Sequence, residues 1–214
     1  MIVITITTAS MERALSLLRE GGIVAHATET CYGFACDVSS LGAVANLFAL
    51  KNRPYSSPVS VLFSSVEQAK EFVEWNDEAE ALAKEHLPGP LTLILPLRSD
   101  SPLQLFPSPS ILLRNNGSTN QPVNQSTPTL GLRISSSPLA QRLVREFGKP
   151  VTTTSANLHG LPNPYSAEGI VAQFGRQTIQ PDLILDSGTL PQAPPSTVID
   201  LTGGERMRRK GSIG

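Results

Sequence analysis

Cysteine is almost absent. Cys31 and Cys36 have neither CxxC spacing nor a second pair, so they make poor zinc or redox ligands and read as small buried residues of a reducing compartment. Aromatic residues amount to 5%, which leaves few platforms on which nucleic-acid bases could stack. Neither sign of charge is in excess. Lys plus Arg number 17 against 18 Asp plus Glu, so overall charge does not hold this protein on nucleic acid, although a local basic cleft fits within a neutral total. No apolar run is long enough to span a membrane. The opening MIVITITTASMERAL lacks both a basic start and a long apolar core, which argues against a secretion signal and makes a cytoplasmic location the expectation. GxxxxGK[ST] is missing, as is GxGxxG after a strand. There is no Ser-His-Asp arrangement and no acidic cage for a metal ion.

What is present is ordinary globular material, 40% hydrophobic and 16% charged in 214 residues, enough for one large domain or two small ones. Strand and helix patterns alternate. IVITI (2–6) reads as a strand, followed by a helix MERALSLLRE capped by Ser10 and ended by Gly21-Gly22. IVAHA is the next strand, then a helix over 40–51 capped by Ser40 and kept short by Pro54. PVSVLF (58–63) is a strand, followed by two helical patterns, SVEQAKEFVEW and DEAEALAKEHL. PGP (88–90) breaks these before the strand LTLILPL. Residues 98–128, rich in Ser, Pro, Asn and Gln, have the composition of a long loop. TLGLRIS and PVTTTSA are strands flanking the helix PLAQRLVREFG; SAEGIVAQFG is a helix capped by Ser166; DLILDSG and STVIDLTG are closing strands. Several strands follow one another without a helix, so the sheet is expected to be mixed.

Four segments place small hydroxyls, a cation or an amide at the end of an apolar element: TETCYG, LKNRPYSSP, TTTSANLHG, and STV (196–198) with RRKG (208–211). Each alone has a structural explanation. Threonines suit strands, SAN makes a cap or turn, and Lys51 and Arg53 at a helix end complement its dipole. Together they supply fixed cations, hydroxyls and amides without acids. Such a set can hold a polyanion such as a nucleotide triphosphate beside a small polar molecule. In TTTSAN, residues 153, 155 and 157 share one face if the strand continues. Of the histidines, His26 falls in a core strand, His86 in a helix's last turn and His159 in a loop near the polar cluster. Composition and spacing stop at a small anionic ligand in a cleft.

TETCYG, LKNRP, PGPLTLIL, GLRI, TTSANLHG, STVIDL and RKGSI, in this order, resemble the YrdC-like family of threonylcarbamoyl-AMP synthases over Ile4 to Ile213. The resemblance implies one domain, 1–214, with a polar insert at about 98–128: an open twisted mixed α/β sheet with flanking helices and a concave ligand-binding face. It implies the reaction of L-threonine, bicarbonate or CO2, and ATP to give threonylcarbamoyl-adenylate and pyrophosphate. A separate transferase complex then uses the product to form N6-threonylcarbamoyladenosine at position 37 of tRNA. Carried over, Thr30, Tyr32, Arg133, Thr153 and Ser196 resemble the threonine pocket, Arg133 matching the carboxylate in a bidentate way that lysine could not. Lys51 and Arg53 resemble the catalytic cations on the ATP phosphates. Ser57, Thr129, Ser155, Asn157, Asn163 and Arg209 resemble further nucleotide contacts. Mg2+ is expected to arrive with ATP, and no protein-ligated metal is expected. Glu29 is sent away from Thr28 and Thr30 by strand alternation and is expected to pair with a cation. The sequence departs from the family pattern at Ala27, Leu62, Ser135 (for proline), His159 and Lys210 (for proline). The insert, just before Thr129 and Arg133, is expected to cover the cleft. Two rivals share the fold: a non-catalytic RNA-binding paralogue, with weak tRNA binding, and a sugar-phosphate enzyme, which would need an acidic Mg2+ site.

Overall fold

A computed structural model describes residues 1–54, 57, 59–105, 112–114, 128–203 and 206–213. Among them, in chain order, are β1 (Ile2–Thr5), α1 (Thr8–Arg19), β2 (Val24–Ala27), β3 (Tyr32–Ala35), α2 (Leu41–Lys51) and β4 (Ser60–Leu62). Then come α3 (Val66–Lys70), α4 (Asp77–His86), β5 (Leu91–Pro96), a 3-10 turn (Pro102–Leu105), β6 (Leu112–Arg114), β7 (Pro128–Arg133) and α5 (Pro138–Phe147). β8 (Val151–Ser155), α6 (Ala167–Phe174), β9 (Leu183–Asp186), β10 (Thr197–Asp200) and β11 (Met207–Arg209) complete the set.

The eleven strands make one sheet in the order β1-β9-β2-β3-β8-β4-β7-β5-β10-β11, with β6 on β7. Pairing is mixed, as expected: β1 with β9 and β4 with β7 run parallel, whereas β2 with β3 and β5 with β7 run antiparallel. The two halves meet at β8, whose last residues pair with β3 and first residues with β4.

Side-chain alternation separates two apolar layers. Met11, Leu15 and Leu18 of α1 and Leu143, Val144 and Phe147 of α5 pack on Val24, Leu183 and Leu185. Their neighbours Ala25 and Ile184 face the opposite core, with α2 and α6. Helices therefore flank both faces. In β5, Leu91, Leu93 and Leu95 enter that second core, as do Leu130 and Leu132 of β7. The intervening Thr92, Ile94, Gly131 and Arg133 are thereby turned to the face that α1 and α5 cover only in part, and a cavity lies there.

Several caps are as read from the sequence: the hydroxyls of Ser40, Ser137 and Ser166 accept amides of their first turns, and Gly148 ends α5 at φ 77°. Ser10 is not a cap. Thr7 caps α1, and Ser10, three residues on, closes a reciprocal capping box with it. The helix expected over 65–75 stops at Lys70, because Val73 leaves it to bridge Leu97 and the Glu74 amide donates to Pro96 O. β3, β6 and β11 were not legible as strands. The covering role expected of the 98–128 insert falls largely on residues outside those described. Among the described residues no helix is long and apolar enough to cross a membrane.

His26 lies in β2 and is fully buried; its Nδ1 pairs with Ala27 O at 3.2 Å, and Nε2 has no partner among the described residues. Burial holds the imidazole down at about 4, against the Ala27 bond, which raises it. The unfolded chain binds a proton between 6.5 and 4 that the folded chain refuses, so the stability present above 6.5 falls as pH drops through that window. The loss should approach ~3 kcal/mol. His26→Phe should remove that part of the slope, Ala27 O keeping its bond from Ser137 Oγ. Urea unfolding of both proteins from pH 7 to 4 checks this; identical pH slopes would refute it.

Candidate functional site

The cavity holds about 330 Å³. Three guanidiniums line it, from Arg53, Arg133 and Arg209. Hydroxyls fill the spaces between them: Thr28 and Thr30 after β2, Ser60 on β4, Thr92 on β5, Thr153 on β8 and Ser196 before β10. Gly33 and Gly131 leave bare backbone in the wall. A Cβ on Gly131 would stand 3.1 Å from Ser60 Oγ, inside ordinary contact distance.

The turn at 28–31 is built by Thr28, whose amide donates to Cys31 O at 3.0 Å while its hydroxyl donates to the same carbonyl at 2.7 Å. That turn ends strand alternation and brings Glu29 back toward Arg133. Arg133 Nη2 donates to Glu29 Oε1 at 2.7 Å and to Thr30 Oγ1 at 3.0 Å. Glu29 thus pairs with a cation, as expected, and the cation is the one assigned to the threonine carboxylate. Arg209 donates through Nε to Ser196 O at 2.9 Å and through Nη2 to Ser196 Oγ at 2.8 Å. Ser196 Oγ also meets Thr92 Oγ1 at 3.0 Å. Arg209 ends the strand that pairs with Val198 and Ile199, and Gly211 lets the chain just after it lie on 195–197; a Cβ at 211 would run into the Pro195 carbonyl.

Burial lowers the Arg209 guanidinium, and the nearby charge of Arg133 lowers it further. Arg53 is likewise lowered by burial. Cations held close together, with carboxylates nearly absent from the wall, make a site for an anion. Among the described residues no group of three or more His, Cys, Asp or Glu could hold a metal ion.

Thr30, Arg53, Arg133, Thr153, Ser155, Asn163, Ser196 and Arg209 all reach the cavity wall. Five of the expected residues do not line it. Tyr32 is turned to the other side, as alternation between Cys31 and Gly33 requires; its hydroxyl donates to Gly188 O (2.9 Å) and accepts the Ser187 amide (2.8 Å). Ser57 sits in the turn after α2, its amide on Pro54 O. Thr129 is buried on β7, beyond Gly131.

Lys51 and Asn157 lie behind the wall. β8 ends at Ser155, so Asn157 does not continue its face. Its Oδ1 accepts Ser155 Oγ at 2.6 Å and its Nδ2 donates to Leu161 O. Lys51, 2% exposed, donates from Nζ to Ser155 O, to Asn157 O at 2.7 Å and to Asn157 Oδ1 at 3.1 Å. Burial, and then the charge of Arg53, pull its ammonium down to about 7. The three acceptors oppose this, since only the protonated amine has three hydrogens to give. Lys51 in this geometry ties the end of α2 to the segment that starts at Ser155.

Sequence reasoning missed Thr28, Ser60, Thr92, Thr154 and Cys31 as wall residues. The alternation of LTLIL held the signal for Thr92: one polar residue between core leucines, aimed off the core.

The family model Sua5_yciO_yrdC, described as "Telomere recombination", matches residues 16–211. The chain belongs to the Sua5/YciO/YrdC family. A threonylcarbamoyl-AMP synthase of Pyrococcus abyssi is 33% identical over 193 residues, which are 88% of this chain and 50% of that protein. The chain therefore spans about half the length of this relative. A threonylcarbamoyl-AMP synthase of Vibrio cholerae is 28% identical over 94% of this chain and 97% of its own length. Among solved structures, P. abyssi Sua5 complexed with L-threonine matches with a TM-score of 0.79 at 30% identity, covering 98% of this chain and 56% of that one. E. coli YciO matches with a TM-score of 0.76 at 25% identity, over 100% of this chain and 94% of its own. The family's shared architecture is thus the mixed, open, helix-flanked sheet described above.

Proposed function

We propose that this chain joins L-threonine, bicarbonate or CO2, and ATP into threonylcarbamoyl-adenylate, releasing pyrophosphate. The observation that carries this reading is the convergence of Arg53, Arg133 and Arg209 on one hydroxyl-lined cavity. A reaction that brings together a carboxylate and a triphosphate needs two anion sites side by side, and three guanidiniums supply them. Names and ligands of the family's relatives agree with it: two are threonylcarbamoyl-AMP synthases and one was solved with L-threonine.

In this reading Arg133 holds the substrate carboxylate between Thr30 and Thr153. The amine adds to CO2 and loses a proton, giving a carbamate. A carbamate oxygen then attacks the α-phosphorus, and the bond to pyrophosphate breaks. Charge grows on phosphate oxygens and on the leaving group, where Arg53 and Arg209 stabilise it. Ser155 and Asn163 lie on the same wall for the nucleotide. Mg2+ enters with ATP, ligated by phosphate oxygens and water. No protein nucleophile is required; holding the two reactants in line supplies much of the acceleration.

The adenylate is activated for transfer, so its consumer is a transferase complex that passes the threonylcarbamoyl group to adenosine 37 of tRNA, in the cytoplasm where ATP and tRNA are both available. An RNA-binding role gains little from a chain without excess positive charge and with only 5% aromatic residues for bases to stack on. Pyrophosphate release, measured with each of the three substrates left out in turn, tests the reading. Release should need all three and should fall by at least 100-fold in Arg53→Ala, a loss typical of removing one transition-state donor. Release that ignores threonine would refute it.

A further inference from the structure

Glu29 and Ser135 have no part in the mechanism above, and neither lines the cavity. Both are nevertheless tied to the guanidinium that the mechanism gives to the substrate carboxylate. Ser135 Oγ accepts the Ser137 amide at 3.1 Å, at the capped start of α5, and therefore turns its own hydrogen to Glu29 Oε2. Glu29 Oε1 accepts Arg133 Nη2 at 2.7 Å. The pair is deeply buried, with side chains 10% and 15% exposed. Burial alone would raise the Glu29 carboxyl, but the Arg133 charge and the bonds from Ser135 and Arg133 outweigh it and hold the group ionised.

A guanidinium has five hydrogens to give. The two on Arg133 Nη2 go to Glu29 and Thr30. Nε–H is buried and without a partner among the described residues, and no bond from Nη1 is found there. Nη2 is fastened by Glu29 behind the wall and by Thr30 at it, which leaves Nη1 for an incoming group. An arginine on a flexible stem would otherwise lose rotamer freedom each time it met a ligand.

We propose that Glu29, held in turn by Ser135, is a positioning residue that fixes the Arg133 guanidinium for a substrate carboxylate. The role rests on the reading that the substrate is an α-amino acid. A proline at 135 could not supply the hydroxyl, so the anchor through the α5 cap is a property of this chain's own sequence.

The test is calorimetric binding of L-threonine and of L-threoninol, which has CH2OH in place of the carboxylate, with a non-hydrolysable ATP analogue present. Glu29→Gln keeps the shape and loses the charge. It should weaken L-threonine about tenfold, a charged hydrogen bond's worth, and leave L-threoninol within about twofold. Ser135→Ala should weaken L-threonine about threefold, with the same selectivity for the carboxylate. Equal weakening of both ligands would mean a merely structural role and would overturn the proposal. Tighter L-threonine binding would overturn it as well, since Glu29 would then be a competitor for Arg133. If the wild-type protein binds neither ligand, the amino-acid reading itself falls, and the role of Glu29 with it.

Discussion

Lys51→Met is expected to lower kcat/KM by about 100-fold or more, and to do so without removing a contact to either substrate. Three acceptors converge on Nζ, all from the segment that carries Ser155 and leads to Asn163. The His159 amide returns to Lys51 O at 2.8 Å, so the helix end and the loop hold each other from both sides. A methionine fills the volume but offers no donor. The carbonyls of Ser155 and Asn157 are then left buried without it, at roughly 1–3 kcal/mol each. Relief of the buried ammonium offsets part of that, so the change in global stability is small compared with the local one. The effect should concentrate in 155–161, displacing the wall by the ångström or so that costs about 100-fold in positioning. Hydrogen exchange separates this from a direct role on phosphate. Amides of 155–161 should exchange faster in Lys51→Met and at the wild-type rate in Arg53→Ala. Unchanged exchange in an inactive Lys51→Met would return Lys51 to the phosphates.

The second large effect is at Arg133. Arg133→Lys keeps a positive charge but replaces a planar fork by a single point donor. It should raise KM for threonine by about 100-fold, close to 3 kcal/mol, because a buried pair loses geometry and not only attraction. kcat should change by no more than a few-fold, because the carboxylate does not react and its binding is the same in ground and transition states. KM for ATP should stay where it is. Steady-state kinetics with each substrate varied in turn decides the matter, and a rise confined to ATP would place Arg133 on the nucleotide instead.

Much of this site was legible as residue type before it was legible as shape. Clusters of hydroxyl and cation at the ends of apolar elements marked the right segments, because a polar group at a core edge needs a partner. Eight of the thirteen expected residues reach one wall. The residues that stay off that wall do so for local reasons. Alternation was carried through Thr28–Cys31, where a side-chain-built turn breaks it; Glu29 still stays off the cavity wall and pairs with a cation, but that cation is Arg133 of the site itself. It was carried past Ser155, where β8 ends. Lys51 is read toward phosphate from its charge; in this structure its acceptors are two backbone carbonyls, 104 and 106 residues away, and the Asn157 side-chain oxygen, contacts that no local pattern encodes.

The fold shows the same division. Caps at Ser40 and Ser166 and the stop at Gly148 depend on one or two residues, and the sequence states them directly. β3 is four residues long and follows the polar turn closely; β11, Met-Arg-Arg, is exposed and has no apolar alternation at all. Both exist because a neighbouring strand offers them backbone partners, β8 and β2 in one case and β10 in the other. α3 ends early for the same reason: pairing of Val73 with Leu97 outcompetes helical propensity.

The central claim is that one cavity unites threonine, a one-carbon unit and the α-phosphate of ATP. Mass spectrometry of the product made from 13C-bicarbonate, L-threonine and ATP tests that most directly. The account predicts an adenylate carrying threonine and one labelled carbon, formed in step with pyrophosphate. AMP or ADP with no labelled adduct would contradict it.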